Sequence, residues 1–253
     1  MHRAWLIVFA LGGVVATVAP SAHAAPRGSG AQPAEPTKPT AATSAKPAAP
    51  APTKPAASTQ AKPTAGAADA KAPGERPDDL VDVATVIRDA VIDMRYATAD
   101  NFTGKELYPV ARCKLRRAVV ARLAKAAEAL RAQDRRLVLW DCYRPTSIQQ
   151  ELWKRVPDPR YVANPKVGSK HGRGAAVDVA LADSAGALVS LPTKFDDFSE
   201  AAHRDHALAG EVGAEARRLE RALAEAGFKP LATEWWHFDA PDSANYALSD
   251  EPL

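Results

Sequence analysis

Residues 25–75 lack aromatic residues, cysteine and any hydrophobic periodicity. They are almost entirely Ala, Pro, Thr, Ser and Lys, as in PTKPTAATSAKPAAPAPTKP. Such a segment cannot bury enough apolar surface to offset the conformational entropy that folding removes. We therefore expect a disordered linker stiffened by proline, either a plain solvated spacer or a tether that associates loosely with an anionic cell envelope.

Long apolar runs are also missing after residue 24, so no later segment is predicted to span a membrane. Residues 1–24 begin with the basic segment MHR, continue through AWLIVFALGGVVATVAP and end in the cleavage pattern AHA. This order is typical of a secretory signal peptide. We predict export of the mature chain to the periplasm or the extracellular space; an uncleaved membrane anchor is the alternative.

A large net charge of either sign is missing from residues 76–253. The whole chain has 33 basic and 30 acidic residues, but residues 25–75 hold six of the basic and three of the acidic ones. Since Arg3 lies in the predicted signal peptide, residues 76–253 retain 26 basic and 27 acidic residues. This near-neutral balance does not fit a nucleic-acid-binding protein.

Cysteine is scarce: the chain has only Cys113 and Cys142, both within residues 76–253. In an oxidising compartment two cysteines favour a disulfide. Two buried free thiols and metal ligation are the alternatives. Residues 76–253 have the length of one ordinary domain.

The hydrophobic pattern of this domain mixes strands and helices. Helices are predicted over 114–133, 142–156 and 211–228. Strands are predicted over 91–96, 136–141, 174–181 and 233–239, with 187–191 as a candidate partner strand. Because the two types do not alternate strictly, we predict a single α+β domain with a mainly antiparallel central sheet flanked by helices.

One motif, SKHGRGAAVDVAL over residues 169–181, sets a lone carboxylate in an apolar strand. Alternation places Asp178 on one face between Ala176 and Ala180, which leave space for a ligand. His171 precedes the strand in a glycine-containing turn that can bend it towards Asp178. The pair suggests two of the three protein ligands of a catalytic zinc site. A simple His–Asp hydrogen bond would explain the pattern equally well.

The segment TEWWHFD over residues 233–239 offers the third ligand, His237. Glu234, three residues earlier, suits a general base for a metal-activated water. In a regular strand these two side chains would point to opposite faces, so the site requires a bend there. Aromatic core packing with an exposed glutamate is the alternative.

Arg144 follows the strand 136–141 and can stabilise an oxyanion or clamp a carboxylate; its alternative is a salt bridge to Asp141 or Glu151.

Taken together, the segments DMRYATADNFTG, WDCYRP, SKHGRGAAVDVAL, KFDDF and EWWHF resemble, in this order, the D-alanyl-D-alanine dipeptidases, zinc peptidases of the vancomycin-resistance type. The resemblance runs from about Val91 to Phe238. It implies the small α+β fold shared with Hedgehog signalling domains and D-alanyl-D-alanine carboxypeptidases. It also implies one zinc ion per chain and hydrolysis of D-Ala-D-Ala or a similar small D,D-dipeptide.

The resemblance further implies a role for each matched residue. His171, Asp178 and His237 match the zinc ligands, Glu234 the general base, and Arg144 the arginine that stabilises the transition state. Three other positions match contacts to the substrate, two of them near its free amino group: Ser169, Tyr96 and Asp196. Asp196 is followed by a second aspartate, so its register can slip by one residue.

Two features depart from the best-known resistance enzymes, which the resemblance implies are cytoplasmic: the export signal with its long linker, and the cysteine pair. An exported enzyme would not meet the cytoplasmic D-Ala-D-Ala pool, so recovery of dipeptides from wall turnover fits better than resistance. Two other functions are open to the same residues. One is a D,D-carboxypeptidase or endopeptidase that trims peptidoglycan, and the other is a non-catalytic zinc-containing wall-binding domain.

Overall fold

A five-stranded sheet forms the centre of the domain. A separate two-stranded sheet is formed by residues 80–82 and 114–116, in the first part of the domain. The structure, a computed structural model, describes residues 76–253. The predicted signal peptide and linker lie outside these residues. The strands are β1 Leu80–Asp82, β2 Val91–Ile92, β3 Lys114–Arg116, β4 Arg135–Asp141, β5 Ala176–Asp183, β6 Lys229–Leu231 and β7 Glu234–Asp239. The helices are α1 Arg117–Arg131, α2 Thr146–Arg155, α3 Arg204–Ala207 and α4 Ala214–Glu225.

The central sheet has the strand order β2-β4-β5-β7-β6. Only the pair of β2 and β4 is parallel, and the other three pairs are antiparallel. The predicted α+β domain with a mainly antiparallel sheet is therefore confirmed. Strand β5 lies in the middle, and seven of its eight residues are buried. Such complete burial requires cover on both faces of the sheet, and it makes every polar side chain on β5 conspicuous.

Helices α1 and α4 are amphipathic and contact the sheet and each other. Each has its apolar residues at helical spacing, which is the pattern that predicted it. Helix α4 is followed by Gly227 at φ +91°, a left-handed conformation that glycine adopts readily after a helix. Among the described residues no helix has the length and apolar composition of a membrane span.

Several predicted elements differ from the structure; the helices predicted over 142–156 and 211–228 are shorter, Thr146–Arg155 and Ala214–Glu225. The helix predicted over 114–133 begins only at Arg117, because Lys114–Arg116 pairs with β1 instead. The strand predicted over 91–96 ends at Ile92; the chain then turns so that the Tyr96 carbonyl accepts from the N–H groups of two later residues. The candidate partner strand 187–191 does pair with β5, but only through one isolated antiparallel bridge, Ala182 to Leu188, and it forms no strand of its own.

A disulfide joins Cys113, just before β3, to Cys142, just after β4. The Cα atoms are 5.3 Å apart, and both residues are fully buried. The predicted bridge is therefore present, and the alternatives of free thiols or metal ligation are wrong. It ties β3 of the small sheet to the end of β4 in the central sheet.

We expect the double substitution C113A/C142A to lower the free energy of unfolding by about 3–4 kcal/mol, because the bridge closes a loop of roughly 30 residues in the unfolded chain. Denaturant unfolding of the oxidised protein and the double variant measures this difference. As a control, the unsubstituted protein and C113A/C142A are compared again under reducing conditions. Their free energies of unfolding should then be similar, because neither protein has the bridge. Equal stability under oxidising conditions would contradict a stabilising bridge.

Candidate metal centre and active site

His171 lies in a short 3-10 turn, His171–Arg173, that leads into β5. The turn ends at Gly174, whose φ of +66° is left-handed. A Cβ atom added there would also meet the Leu80 side chain at 2.5 Å. Glycine at this position therefore allows the chain to reverse into β5 and keeps the buried His171 ring over the end of the sheet.

Asp178 and His237 are directly opposite each other on the paired strands β5 and β7. Directly opposed residues of an antiparallel pair have neighbouring side chains on the same face. The sheet register alone therefore brings a carboxylate beside an imidazole, and the preceding turn adds His171. All three residues are buried.

The donor atoms of these three residues converge. His237 Nδ1 is 2.9 Å from Asp178 Oδ1 and 3.2 Å from His171 Nε2, and His171 Nε2 is 3.4 Å from Asp178 Oδ1. Ligands placed tetrahedrally about 2.0–2.1 Å from a zinc ion are about 3.3 Å from one another. The spacing therefore suits a small tetrahedral cation.

The opposite ring nitrogens are already engaged. His171 Nδ1 lies 2.7 Å from the Cys142 carbonyl oxygen, and His237 Nε2 lies 3.0 Å from Asp239 Oδ1. Both partners only accept, so each of these nitrogens carries its ring proton. If both rings are neutral, the lone pairs of His171 Nε2 and His237 Nδ1 and the Asp178 carboxylate all face one point. Because these groups repel one another, a cation is needed between them. The three residues thus fit a metal ion better than a simple His–Asp hydrogen bond.

The electrostatics agree with this reading. Burial favours a neutral acid, yet the two imidazoles hold the pKa of Asp178 well below its usual range. Burial also opposes a charged His237, but its hydrogen bonds to Asp178 and Asp239 outweigh burial and raise the pKa of His237 to about 10. In the metal-free protein a proton on His237 therefore supplies the positive charge that the cluster needs.

We accordingly expect metal binding at neutral pH to release about one proton, because His237 must lose its proton to become a ligand. Metal affinity should rise with pH up to about 10, the pKa of His237 without metal. Calorimetric titration with Zn²⁺ in buffers of different ionisation enthalpy measures the proton count. A binding enthalpy that does not depend on the buffer would contradict this prediction.

Glu234 reaches the same cavity because β7 does not run regularly along β6. Pro230 pairs with Phe238 but Leu231 pairs with Glu234, so three residues of β7 bulge out between these pairs. The bulge supplies the bend that the sequence required, and Glu234 Oε2 lies 3.8 Å from His237 Nδ1. The alternative of an exposed glutamate is wrong, since Glu234 is buried. Burial raises the pKa of Glu234 to about 7.

Arg144 also lines this cavity, and its buried guanidinium is held on one side. Its Nε and Nη2 donate to Asp141 Oδ2 at 2.9 and 2.5 Å, and its Nη1 donates to Gln149 Oε1 at 2.7 Å. Arg144 therefore forms the salt bridge to Asp141 that was the predicted alternative, and it lines the cavity as well. A guanidinium has five N–H donors, so two remain for a ligand.

A cavity of about 260 Å³ contains all eight predicted site residues. Of the two adjacent aspartates, Asp196 lines the cavity, whereas Asp197 accepts from the Ser199 backbone N–H. Tyr96 donates to Asp196 Oδ1 at 3.2 Å, while Oδ2 is buried without a hydrogen-bond partner. Burial and the nearby Asp178 raise the pKa of Asp196 well above its usual range. A cationic group is the natural partner for this carboxylate. The eight residues are Tyr96, Arg144, Ser169, His171, Asp178, Asp196, Glu234 and His237.

Several supporting residues were not predicted. Asp239 lies two residues after His237 on one strand, and this spacing could have revealed it because alternate residues share a face. Asp141 was considered only as a salt-bridge partner; fully buried, it also accepts from the Tyr108 hydroxyl. Gln149 donates to the Ala163 carbonyl while it holds Arg144. No sequence signal marks Gln149, because its contact with Arg144 depends on how helix α2 packs beside the end of β4.

A buried glutamate and an anchored arginine lie beside three residues that could together hold a metal ion, an arrangement suited to metal-dependent hydrolysis. The comparisons with known proteins agree. A family model described as D-ala-D-ala dipeptidase matches residues 76–251. The chain belongs to this dipeptidase family.

Curated relatives support the assignment. A D-alanyl-D-alanine dipeptidase of Escherichia coli (strain K12) is 39% identical over 171 residues, which cover 67% of this chain and 89% of the relative. Proteins of the same name from Enterococcus faecium and Streptomyces coelicolor are 33% and 32% identical. Each of these two alignments covers 63% of this chain and 86% of the relative.

Proposed function

We propose that the protein is a zinc-dependent D-alanyl-D-alanine dipeptidase of the cell envelope. One observation carries the proposal: the three candidate metal ligands, Glu234 and the Asp196 carboxylate, whose Oδ2 has no hydrogen-bond partner, share one cavity of about 260 Å³. A two-nitrogen, one-oxygen donor set with a remaining open position favours catalytic zinc. The names of the curated relatives, D-alanyl-D-alanine dipeptidases, support D-Ala-D-Ala as the substrate.

The bound zinc would lower the pKa of a water molecule and polarise the scissile carbonyl. Glu234 is the general base that accepts a proton from the attacking water and delivers it to the leaving amine. Burial raises the pKa of Glu234 to about 7 without metal, and a bound cation would lower it, so Glu234 would be a carboxylate able to accept the proton at neutral pH. The two free N–H donors of Arg144 stabilise the oxyanion of the tetrahedral intermediate.

Asp196 and Tyr96 bind the free amino group of the dipeptide. The Asp196 oxygen without a partner would receive an ammonium, and the ion pair would restore the charged carboxylate against its burial. Ser169 lines the same cavity close to His171, whose backbone N–H donates to the Ser169 hydroxyl at 3.2 Å. We assign it to substrate contact.

The proposal includes export to the periplasm or the extracellular space, where the linker 25–75 would associate loosely with an anionic envelope. The Cys113–Cys142 bridge supports an oxidising compartment. A protein placed there meets dipeptides from wall turnover. Peptidoglycan trimming is the second candidate function, since an envelope tether also suits a polymeric substrate.

The test is release of free amine from D-Ala-D-Ala and, separately, from an N-acetylated peptide ending in D-Ala-D-Ala. We expect cleavage of the free dipeptide alone, and its loss with a chelator and recovery with Zn²⁺. Asp196→Asn should raise KM by about tenfold or more, since a charge-assisted hydrogen bond is lost. Asp197→Asn is the matched control and should leave KM unchanged. Cleavage of the blocked peptide would instead support peptidoglycan trimming.

A further inference from the structure

Arg204, the first residue of α3, makes a set of contacts with the β6–β7 hairpin that the proposed mechanism does not use. Its Nε donates to the Leu231 carbonyl at 2.8 Å, and its Nη2 donates to the His237 carbonyl at 2.9 Å. Its backbone N–H donates to the Ala232 carbonyl at 2.9 Å. One arginine thus binds both strands of the hairpin and the turn between them.

These contacts fall on the bulge. Leu231 is the β6 residue at which the register shifts, and His237 is the last of the three extra residues of β7. A bulge disrupts the ladder of hydrogen bonds between its strands, and buried backbone carbonyls need other donors there. The planar guanidinium, with donors at a fixed spacing, can span the two carbonyls.

The guanidinium itself is fixed in place. Its Nη1 pairs with Glu220 Oε2 of α4 at 2.7 Å, and its carbon lies 4.5 Å from the centre of the Phe238 ring. Only 12% of the Arg204 side chain is exposed. Helix α4 therefore supports Arg204, and Arg204 supports the bulge.

The bulge decides whether the site exists. In a regular strand, residues three apart point to opposite faces, so Glu234 would leave the cavity that His237 faces. Accordingly, we propose that Arg204 is a positioning residue that holds the β6–β7 bulge and thereby keeps Glu234 and His237 in one cavity. The expected effect on catalysis rests on the proposed function. The expected effect on the stability of the bulge does not.

The test compares Arg204→Met and Arg204→Lys with Arg218→Met. Arg218 is a suitable control because it lies on α4, is also partly buried and pairs with Glu215, away from the hairpin. For Arg204→Met we expect kcat for D-Ala-D-Ala to fall by about 100-fold with little change in KM, as for misplaced catalytic groups. Guanidinium ions at sub-denaturing concentration should restore part of kcat. A loss of general stability would not be rescued in this way.

Hydrogen exchange provides the readout that does not depend on activity. Amide exchange over 229–239 should accelerate by about tenfold or more in Arg204→Met but not in Arg218→Met, because local opening becomes easier. If Arg204→Met does not fold, Arg204→Lys, which keeps the charge but not the fork, should show the same changes to a smaller extent. Unchanged exchange in this hairpin, together with unchanged kcat, would overturn the proposal. If the unsubstituted protein does not cleave D-Ala-D-Ala, the proposed function fails, and hydrogen exchange still decides the role of Arg204.

Discussion

Replacing Glu234 with Gln should lower kcat for D-Ala-D-Ala by about 10²- to 10⁴-fold, the usual contribution of a general base. Glutamine has nearly the same shape but cannot accept a proton, so the cavity should remain intact. His171, Asp178 and His237 are unchanged, and Zn²⁺ should still bind stoichiometrically. Steady-state kinetics with metal analysis of the same preparation measures both quantities.

Glu151→Gln is the matched control. Glu151 lies on α2, its side chain is half exposed, and it pairs with Lys154. This variant should retain full activity. For the unsubstituted enzyme, kcat/KM should fall as the pH drops through the pKa of Glu234, which is about 7 without metal and lower beside a bound cation. Activity retained in Glu234→Gln would remove this residue from the role of general base.

The second large effect concerns Arg144. Arg144→Lys should lower kcat by about 10²- to 10³-fold, comparable to the loss of an oxyanion donor. Lysine keeps the positive charge but lacks the planar fork that Asp141 and Gln149 hold in place. Its single ammonium group cannot bind these anchors and face the substrate together. KM should change less than kcat if the interaction forms mainly in the transition state.

Asp141→Asn tests whether the anchor matters as well. The amide keeps a hydrogen-bonding oxygen but loses the charge that orients the guanidinium, so kcat should fall, though less than in Arg144→Lys. The double variant should be no worse than Arg144→Lys, because the two residues act as one unit. Arg135→Lys, which disturbs a paired arginine that does not line the cavity, is the control. Additive losses would show that Asp141 acts independently of Arg144.

The amino-acid sequence alone predicts the main helices and strands and the residues that carry the chemistry. Helical spacing identified α1 and α4, and apolar runs identified β4, β5 and β7, because these patterns follow directly from burial on one or both faces. The lone Asp178 in a buried strand indicated a partner before any partner was known, since an isolated buried carboxylate is too costly to retain. The motif order then indicated the family.

How these residues meet depends on the pairing of strands that are distant in the sequence. The register of β5 against β7 placed Asp178 opposite His237, and only the bulge of β7 brought Glu234 to the same side. The sequence already offered Asp141, three residues from Arg144, as its salt-bridge partner. Gln149 on α2 and the hydrogen bonds of Arg204 to the β6–β7 hairpin depend on how the elements pack, so no local pattern marks them. Register and bulges depend on which strands pair and on which donors satisfy displaced carbonyls, and those partners are set only when the whole chain has folded.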